Sequence, residues 1–377
     1  MRLEQPNLSF FNAKSGLLQA NIWSELDLGC WKTAQFKIHE TNTLNGVLNR
    51  ANMVSLLPDF APLEAGQRWN HLEKRIEEKH LQPKLLNSGL EDFLCKSKAF
   101  FEKFHNKHIA VQLSGGVDSS LIIGLLRFFG IKHSLIGYYN KRYEFRTESY
   151  IQENLVESCD DAILINYEDH LPYSGLLNTP PHQYPDIACC GLSANQAMAS
   201  ACHDAGIEIL LTGCGGDLVL GEEIDNEKCI WIPAIFNCSW FQDVVYTPKK
   251  VTLVSFFSDT DILECLWNLR MGQKFDLRKI WARNFFQSFL PRELVEYTYK
   301  ADFWGLYIDG LVNSLPEIRF IHKRAYELSE NSYFEDANLH RMLQSDLYNC
   351  DQQLYQRLEA RISSAVWINS LVSHPCS

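Results

Sequence analysis

The sequence predicts an α/β protein centred on a parallel sheet with helices on both faces. Three observations carry that prediction. Four short apolar runs, Ile109 to Leu113, Ser134 to Tyr139, Ala162 to Asn166 and Ile207 to Leu211, have the length and uniform hydrophobicity of buried strands. Between them lie stretches with helical spacing: Ser120 to Phe129 (ended by Gly130), Thr147 to Ser158, and the Ala-rich Gly191 to Ala205. Two glycine-rich strings, Ser114-Gly-Gly-Val-Asp-Ser119 and Thr212-Gly-Cys-Gly-Gly-Asp217, each come directly after an apolar run. Strands alternating with helices imply βαβ units, and ligands of such sheets bind at the carboxyl ends of strands, where both strings fall.

The 377 residues exceed one small domain, and 46% of them are hydrophobic, enough for a sizeable core. Charged residues make up 21%, which excludes global disorder. A net charge of −11, with a pI near 5.6, argues against nucleic-acid or anionic-membrane binding. None of the twelve cysteines forms a C-x-x-C pair or a zinc-type spacing, so most are expected to be small core residues of a reduced protein. No run of 18 apolar residues is present and MRLEQPNLSFFNAKSG has no apolar h-region, so the expectation is a cytoplasmic chain with no signal peptide and no membrane partner.

The expected domains are a small N-terminal region, 1–90, and a larger one, 91–377. In the first, Leu17 to Ile22 and Ala34 to Ile38 read as strands, Leu56 to Gln67 as a loop, and the charged His71 to Leu81 as a surface helix. The second opens with a helix from Leu90 to Phe104. From about residue 260 it is mostly helical: Asp261 to Asn268, Leu277 to Phe289, Arg292 to Tyr299 and Asp336 to Ser370, expected around one end of the sheet.

Two consecutive glycines after a buried strand let the backbone turn sharply and approach a ligand. Loop amides, Ser114, Ser119, Ser120 and the amino end of the next helix together make an anion site suited to phosphate. Asp118 inside that site calls for a cation, and Mg²⁺ shared with a pyrophosphate meets the need. Leu113-Ser-Gly-Gly-Val-Asp-Ser-Ser120 is not a Walker A loop; it resembles the PP-loop of ATP pyrophosphatases. Leu210 to Glu222 resembles the S/T-G-x-G-[AGS]-D-E-x-x-G-G stretch of asparagine synthetases. Val254 to Leu269 is similar to that family's PF-x-D helix, with Ser255 or Phe256 in place of the proline. Lys279 and Arg283 match its K-x-x-x-R, Leu290-Pro291 its L-P, and Lys300-Ala-Asp-Phe303 its K-x-x-F.

The resemblance covers about residues 91–310 and implies a five-stranded PP-loop sheet, ATP and Mg²⁺. It assigns ATP and pyrophosphate contacts to Leu113, Ser114, Gly115, Gly116, Asp118, Ser119, Gly137, Gly213, Gly215, Gly216 and Lys279. It gives Mg²⁺ to Asp118 and Asp217, the acceptor pocket to Cys214, and charge stabilisation at the α-phosphate to Lys300. Glu148 resembles an acidic position of the family. The adenine is expected against Ser134 to Tyr139.

Departures refine this expectation. No cysteine follows Met1 and only about 90 residues precede the PP-loop region, so the reading is a reduced or replaced glutaminase domain and no glutamine hydrolysis. Asparagine synthetases usually carry Glu where Cys214 stands; β-lactam and carbapenam synthetases carry Tyr there, and an aliphatic residue where Leu218 stands. The chain is therefore expected to adenylate a small-molecule or peptide carboxylate, release pyrophosphate, and couple the acyl group to an amine in specialised-metabolite or modified-peptide biosynthesis. Asp243, Glu222 and Glu223 are candidates for the base. An ammonia-dependent asparagine synthetase-like enzyme and an inactive relative serving as a binding subunit stand as alternatives. A homodimer or a partner from the same pathway is also open.

Overall fold

The computed structural model describes residues 89–140, 142, 148–159, 161–180, 187–221, 240–270, 273, 278–296, 303–329, 334 and 352–373, together with five short strands before residue 79. The chain divides into two compact units, one comprising His80–His170 with Ala194–Leu306, the other Met1–Lys79, Leu171–Ser193 and Tyr307–Ser377.

In the second of these, β1 (Phe10–Asn12), β2 (Leu17–Gln19) and β3 (Phe60–Pro62) form an antiparallel sheet in the order β2-β1-β3. Strand β3 thus occupies part of the expected loop from Leu56 to Gln67. The expected helix from His71 to Leu81 is corrected too: β4 (Gln67–Asn70) and β5 (Arg75–Glu78) form a hairpin. Its register sets Trp69 opposite Ile76 and Arg68 opposite Glu77. The expected strand from Ala34 to Ile38 lies outside the described residues.

The first unit is built on five parallel strands: β6 (Ile109–Leu113), β7 (Ser134–Tyr139), β8 (Ala162–Asn166), β9 (Ile209–Thr212) and β10 (Thr252–Ser255), in the order β10-β9-β6-β7-β8. Strands β6 and β9 are buried along nearly all their length, as a sheet covered on both faces requires. The chain runs from β6 outward to β8, then crosses to β9 on the other side of β6. The strand order therefore reverses between β6 and β9, where open α/β sheets form their ligand crevice. Strand β10 was not resolved from the helical stretch after Val254; Val254 and Ser255 end it, and the helix starts only at Thr260.

Helices α1 (Leu90–Glu102), α2 (Val117–Phe128), α3 (Ser149–Glu157) and α4 (Leu192–Asp204) occupy the expected places, with α2 starting three residues early so that Asp118 and Ser119 lie in its first turn. They are followed by α5 (Thr260–Arg270), α6 (Ile280–Phe285) and α7 (Arg292–Glu296), with α6 shorter than expected. Phe256, at the end of β10, stacks on Phe101 at 5.5 Å and 8° and meets Phe93 and Phe100 edge-on, which fixes the β10–α5 corner against α1.

The remaining helices, α8 (Trp304–Asn313), α9 (Leu315–Ser329) and α10 (Gln352–Ser373), fall mostly in the other unit. Residues 361–370 of α10 are buried on every side, and Asn369 ties α10 to α9 by donating to the Ile321 carbonyl at 2.8 Å. None of the described helices is long and apolar enough to cross a membrane.

His322 on α9 is 1% exposed, edge-on to Phe334 at 5.5 Å. Burial, with the Arg361 charge added, pushes its imidazole down from 6.5 to about 3. Below pH 6.5 the unfolded chain binds a proton that the folded chain refuses, so stability must fall on acidification from 6.5 towards 3. The slope is on the order of 1 kcal/mol per pH unit. Urea titrations at several pH values should show it, and His322→Gln should flatten that part of the profile.

Candidate functional site

The loops after β6 and β9 meet at the reversal of strand order. The first is held mostly by its own side chains. Ser119 Oγ accepts from the Ser114 amide at 3.3 Å and donates to the Gly116 carbonyl at 3.3 Å, while Ser114 Oγ accepts from the Gly116 amide at 3.2 Å. Gly115 takes φ +82°, and a Cβ there would sit 2.5 Å from the Glu148 carbonyl oxygen, so only glycine fits. Gln152 secures the strands beneath by donating to the Leu113 and Tyr138 carbonyls at 3.1 and 2.9 Å. Gly137 lies opposite Leu113 in the β6–β7 register. Glu148 is 8% exposed, and its carboxyl oxygens lie 3.8 Å from where a Gly116 Cβ would be.

The second loop runs from β9 through Gly213, Cys214, Gly215 and Gly216 into a π-helical turn, Asp217–Gly221. A Cβ on Gly216 would fall on the Asp118 carboxylate, and one on Gly213 would lie 3.0 Å from the Asp118 Cβ. Glycine here is what allows the first loop's acid to reach the second loop. Cys214 is half-buried; its amide donates to Thr212 Oγ1 at 3.2 Å and its carbonyl accepts from Ser255 Oγ at 2.7 Å. Ser255 thus ties the loop to the end of β10. The π-turn is held from outside: Arg270 donates to the Val219 carbonyl at 2.8 Å and the Trp281 indole to the Leu220 carbonyl at 2.7 Å. Burial brings the Arg270 guanidinium down to about 10.

Lys279 joins the two loops. Its ammonium lies 2.7 and 2.5 Å from the two oxygens of Asp118 and 2.8 Å from Asp217 Oδ1. The lysine side chain is 7% exposed, Asp118 17% and Asp217 56%, so the group opens to water on the Asp217 side. Burial opposes the lysine charge, but the two carboxylates outweigh it and hold its pKa above the ordinary 10.5. Lys279 also caps α6 in the left-handed region, at φ +57°, a conformation that costs a lysine on the order of 1–3 kcal/mol. Arg283, four residues on, maintains that turn: its buried guanidinium donates to the Arg278 carbonyl at 2.6 Å and to that of Leu294. In the expected K-x-x-x-R pattern, then, the lysine faces the acids and the arginine shapes the backbone that presents it.

Two carboxylates converging on one point, with glycine clearing the space around Asp118, form a donor set suited to a hard cation such as Mg²⁺. Among the described residues no group of three or more His, Cys, Asp or Glu side chains surrounds a metal-sized position, so the protein's own share would be Asp118 and Asp217, with substrate oxygens and water completing the shell. The structure therefore brings together Ser114, Gly115, Gly116, Asp118, Ser119, Gly213, Gly216, Asp217 and Lys279. Lys300, Glu222, Glu223 and the side chain of Asp243 lie outside the described residues. The supporting roles of Gln152, Ser255, Arg270 and Trp281 carried no local signal in the sequence, because each acts on backbone carbonyls far along the chain. No protein-family model matches the chain, and no curated protein matches it.

Trp281→Phe would remove the donor to Leu220 and also shrink a buried ring, so a cavity term adds to the lost hydrogen bond. A buried carbonyl left without its donor alone costs about 1–3 kcal/mol, and chemical denaturation should show a loss of at least that size.

Proposed function

We propose that the chain is an ATP-dependent, AMP-forming ligase that adenylates a substrate carboxylate and passes the acyl group to an amine. The observation that carries this reading is the convergence of Asp118 and Asp217, from the loops after β6 and β9, on one cation at 2.5–2.8 Å. The arrangement fits the PP-loop resemblance of the first string and the asparagine-synthetase resemblance of the second, and it lies where nucleotides bind in open α/β sheets.

In this reading the Ser114–Gly116 loop and the amino end of α2 hold the β- and γ-phosphates. Asp118 and Asp217 hold Mg²⁺, which when bound offsets the charge of the departing pyrophosphate. Adenine lies at the carboxyl end of β7, beside Gly137. A carboxylate does not react with an amine at neutral pH because its leaving group would be oxide. Attack of that carboxylate on the α-phosphorus forms an acyl–phosphate bond and breaks the α–β bridge, giving an acyl-adenylate and pyrophosphate. Amine attack on the acyl carbon then expels AMP, with one proton lost from the amine. Lys300 stabilises charge on the α-phosphoryl oxygens. Cys214, on the loop between β9 and Asp217, borders the acceptor. The reaction class is specialised amide formation, including lactam or peptide cyclisation, in place of asparagine synthesis.

The test is product analysis with Mg²⁺-ATP and a panel of amino acids and peptide carboxylates. AMP and pyrophosphate should form in equal amounts. Stoichiometric ADP would sink the reading.

Lys300→Ala and Cys214→Ala should differ. Removing a group that acts on transition-state charge costs about 3 kcal/mol, on the order of a hundredfold in rate, so ATP–pyrophosphate exchange should collapse in the lysine variant. The cysteine variant should retain exchange and change only its KM or choice of acceptor. The opposite pattern would reverse the two roles.

A further inference from the structure

We propose that Lys279 is the resident counter-cation of the Asp118–Asp217 pair and that it makes divalent-cation entry depend on a polyphosphate. This rests on the nucleotide reading of the site and adds to it a rule of admission.

Three features lead there. Two carboxylates aimed at one point repel unless a cation lies between them, and here the cation is supplied by the chain itself. Both oxygens of Asp118 are engaged by the ammonium, at 2.7 and 2.5 Å, in the enclosed part of the site. The exposed side is Asp217, so a hydrated metal ion arriving from water meets Asp217 first and must then compete with Lys279 for Asp118.

A metal ion arriving alone would displace a buried ammonium from its carboxylates and leave that charge without a counter-ion, which is strongly unfavourable. A polyphosphate removes this obstacle, because its oxygens accept the ammonium as the metal takes over the carboxylates. The motion is a rotation of one side chain. The backbone of Lys279 stays in place, since α6 is tied to the π-turn by Trp281 and its cap is pinned by Arg283. Metal and nucleotide therefore bind as a pair, and departure of pyrophosphate with its metal lets Lys279 return.

The experiment measures Mn²⁺ retained by the full chain, by electron paramagnetic resonance after ultrafiltration, with and without α,β-methylene-ATP. Wild type should hold Mn²⁺ weakly when it is alone and about tenfold or more tighter with the nucleotide analogue. Lys279→Met should hold Mn²⁺ alone about tenfold or more tighter than wild type, losing most of the dependence on nucleotide. Lys279→Gln provides the same comparison if the Met variant does not fold, and equal retention in wild type with and without the analogue overturns the proposal even if neither variant folds. Equal Mn²⁺ affinity in wild type with and without the analogue, equal affinity in wild type and variant, or no retention in any state overturns the proposal. ATP–pyrophosphate exchange separates this outcome from failure of the ligase reading. Lysine-dependent Mn²⁺ retention without exchange leaves the counter-cation in place and removes the ligase; exchange without any lysine effect on Mn²⁺ does the reverse.

Discussion

Two acids from loops about a hundred residues apart share one small volume, and much of the surrounding structure can be understood as making that tolerable. Like charges this close need a cation, and Lys279 provides it. Contact between the loops needs β6 and β9 side by side, which the reversal of strand order supplies. Close approach at Asp118 needs a missing side chain, and Gly216 supplies that. Presenting the lysine needs a left-handed backbone turn, which Arg283 maintains from within the same short helix.

The opposite end of the sheet is organised differently. There His108 bonds Ser134 at 2.9 Å, Ser134 donates to Asp161 at 2.7 Å, and Glu208 pairs with Lys107 and accepts from the His108 amide. This network links the amino ends of β6, β7, β8 and β9 by side chains at neighbouring starts. The serine, histidine and acid are in reach of one another, yet the serine proton is directed at the carboxylate and not at the histidine, a pattern for fastening strands and not for activating a nucleophile.

The sheet strands β6 to β9 were legible because they are short, apolar and bounded by turns, and the loops because each glycine-rich string comes directly after an apolar run. Strand β10 was harder to see: Thr252-Leu-Val-Ser255 runs straight into two phenylalanines and a helix, so apolar spacing alone did not separate strand from helix. Residues 75–78 read as part of a charged helix because a short charged segment fits either form, and the choice depends on a partner strand, here Gln67–Asn70, that the segment itself does not reveal. The resemblance gives Asp118 and Asp217 to Mg²⁺ and Lys279 to the nucleotide; that Lys279 lies between the two acids was not legible, because its reach depends on a positive φ that lysine rarely adopts and on an arginine bonded to carbonyls.

The π-turn at Asp217–Gly221 has one further consequence, which concerns length and not composition. Its Val219 and Leu220 carbonyls are fixed from outside by Arg270 and Trp281, while Asp217, two residues upstream of Val219, must face Lys279. On a helical path each added or removed residue rotates what precedes it by roughly a quarter turn. A single codon gained or lost between Asp217 and Val219 would swing the carboxylate away from the lysine while leaving every side chain of the site present. The spacing between Asp217 and Val219 is therefore as strict a requirement of this arrangement as the carboxylate at 217 itself.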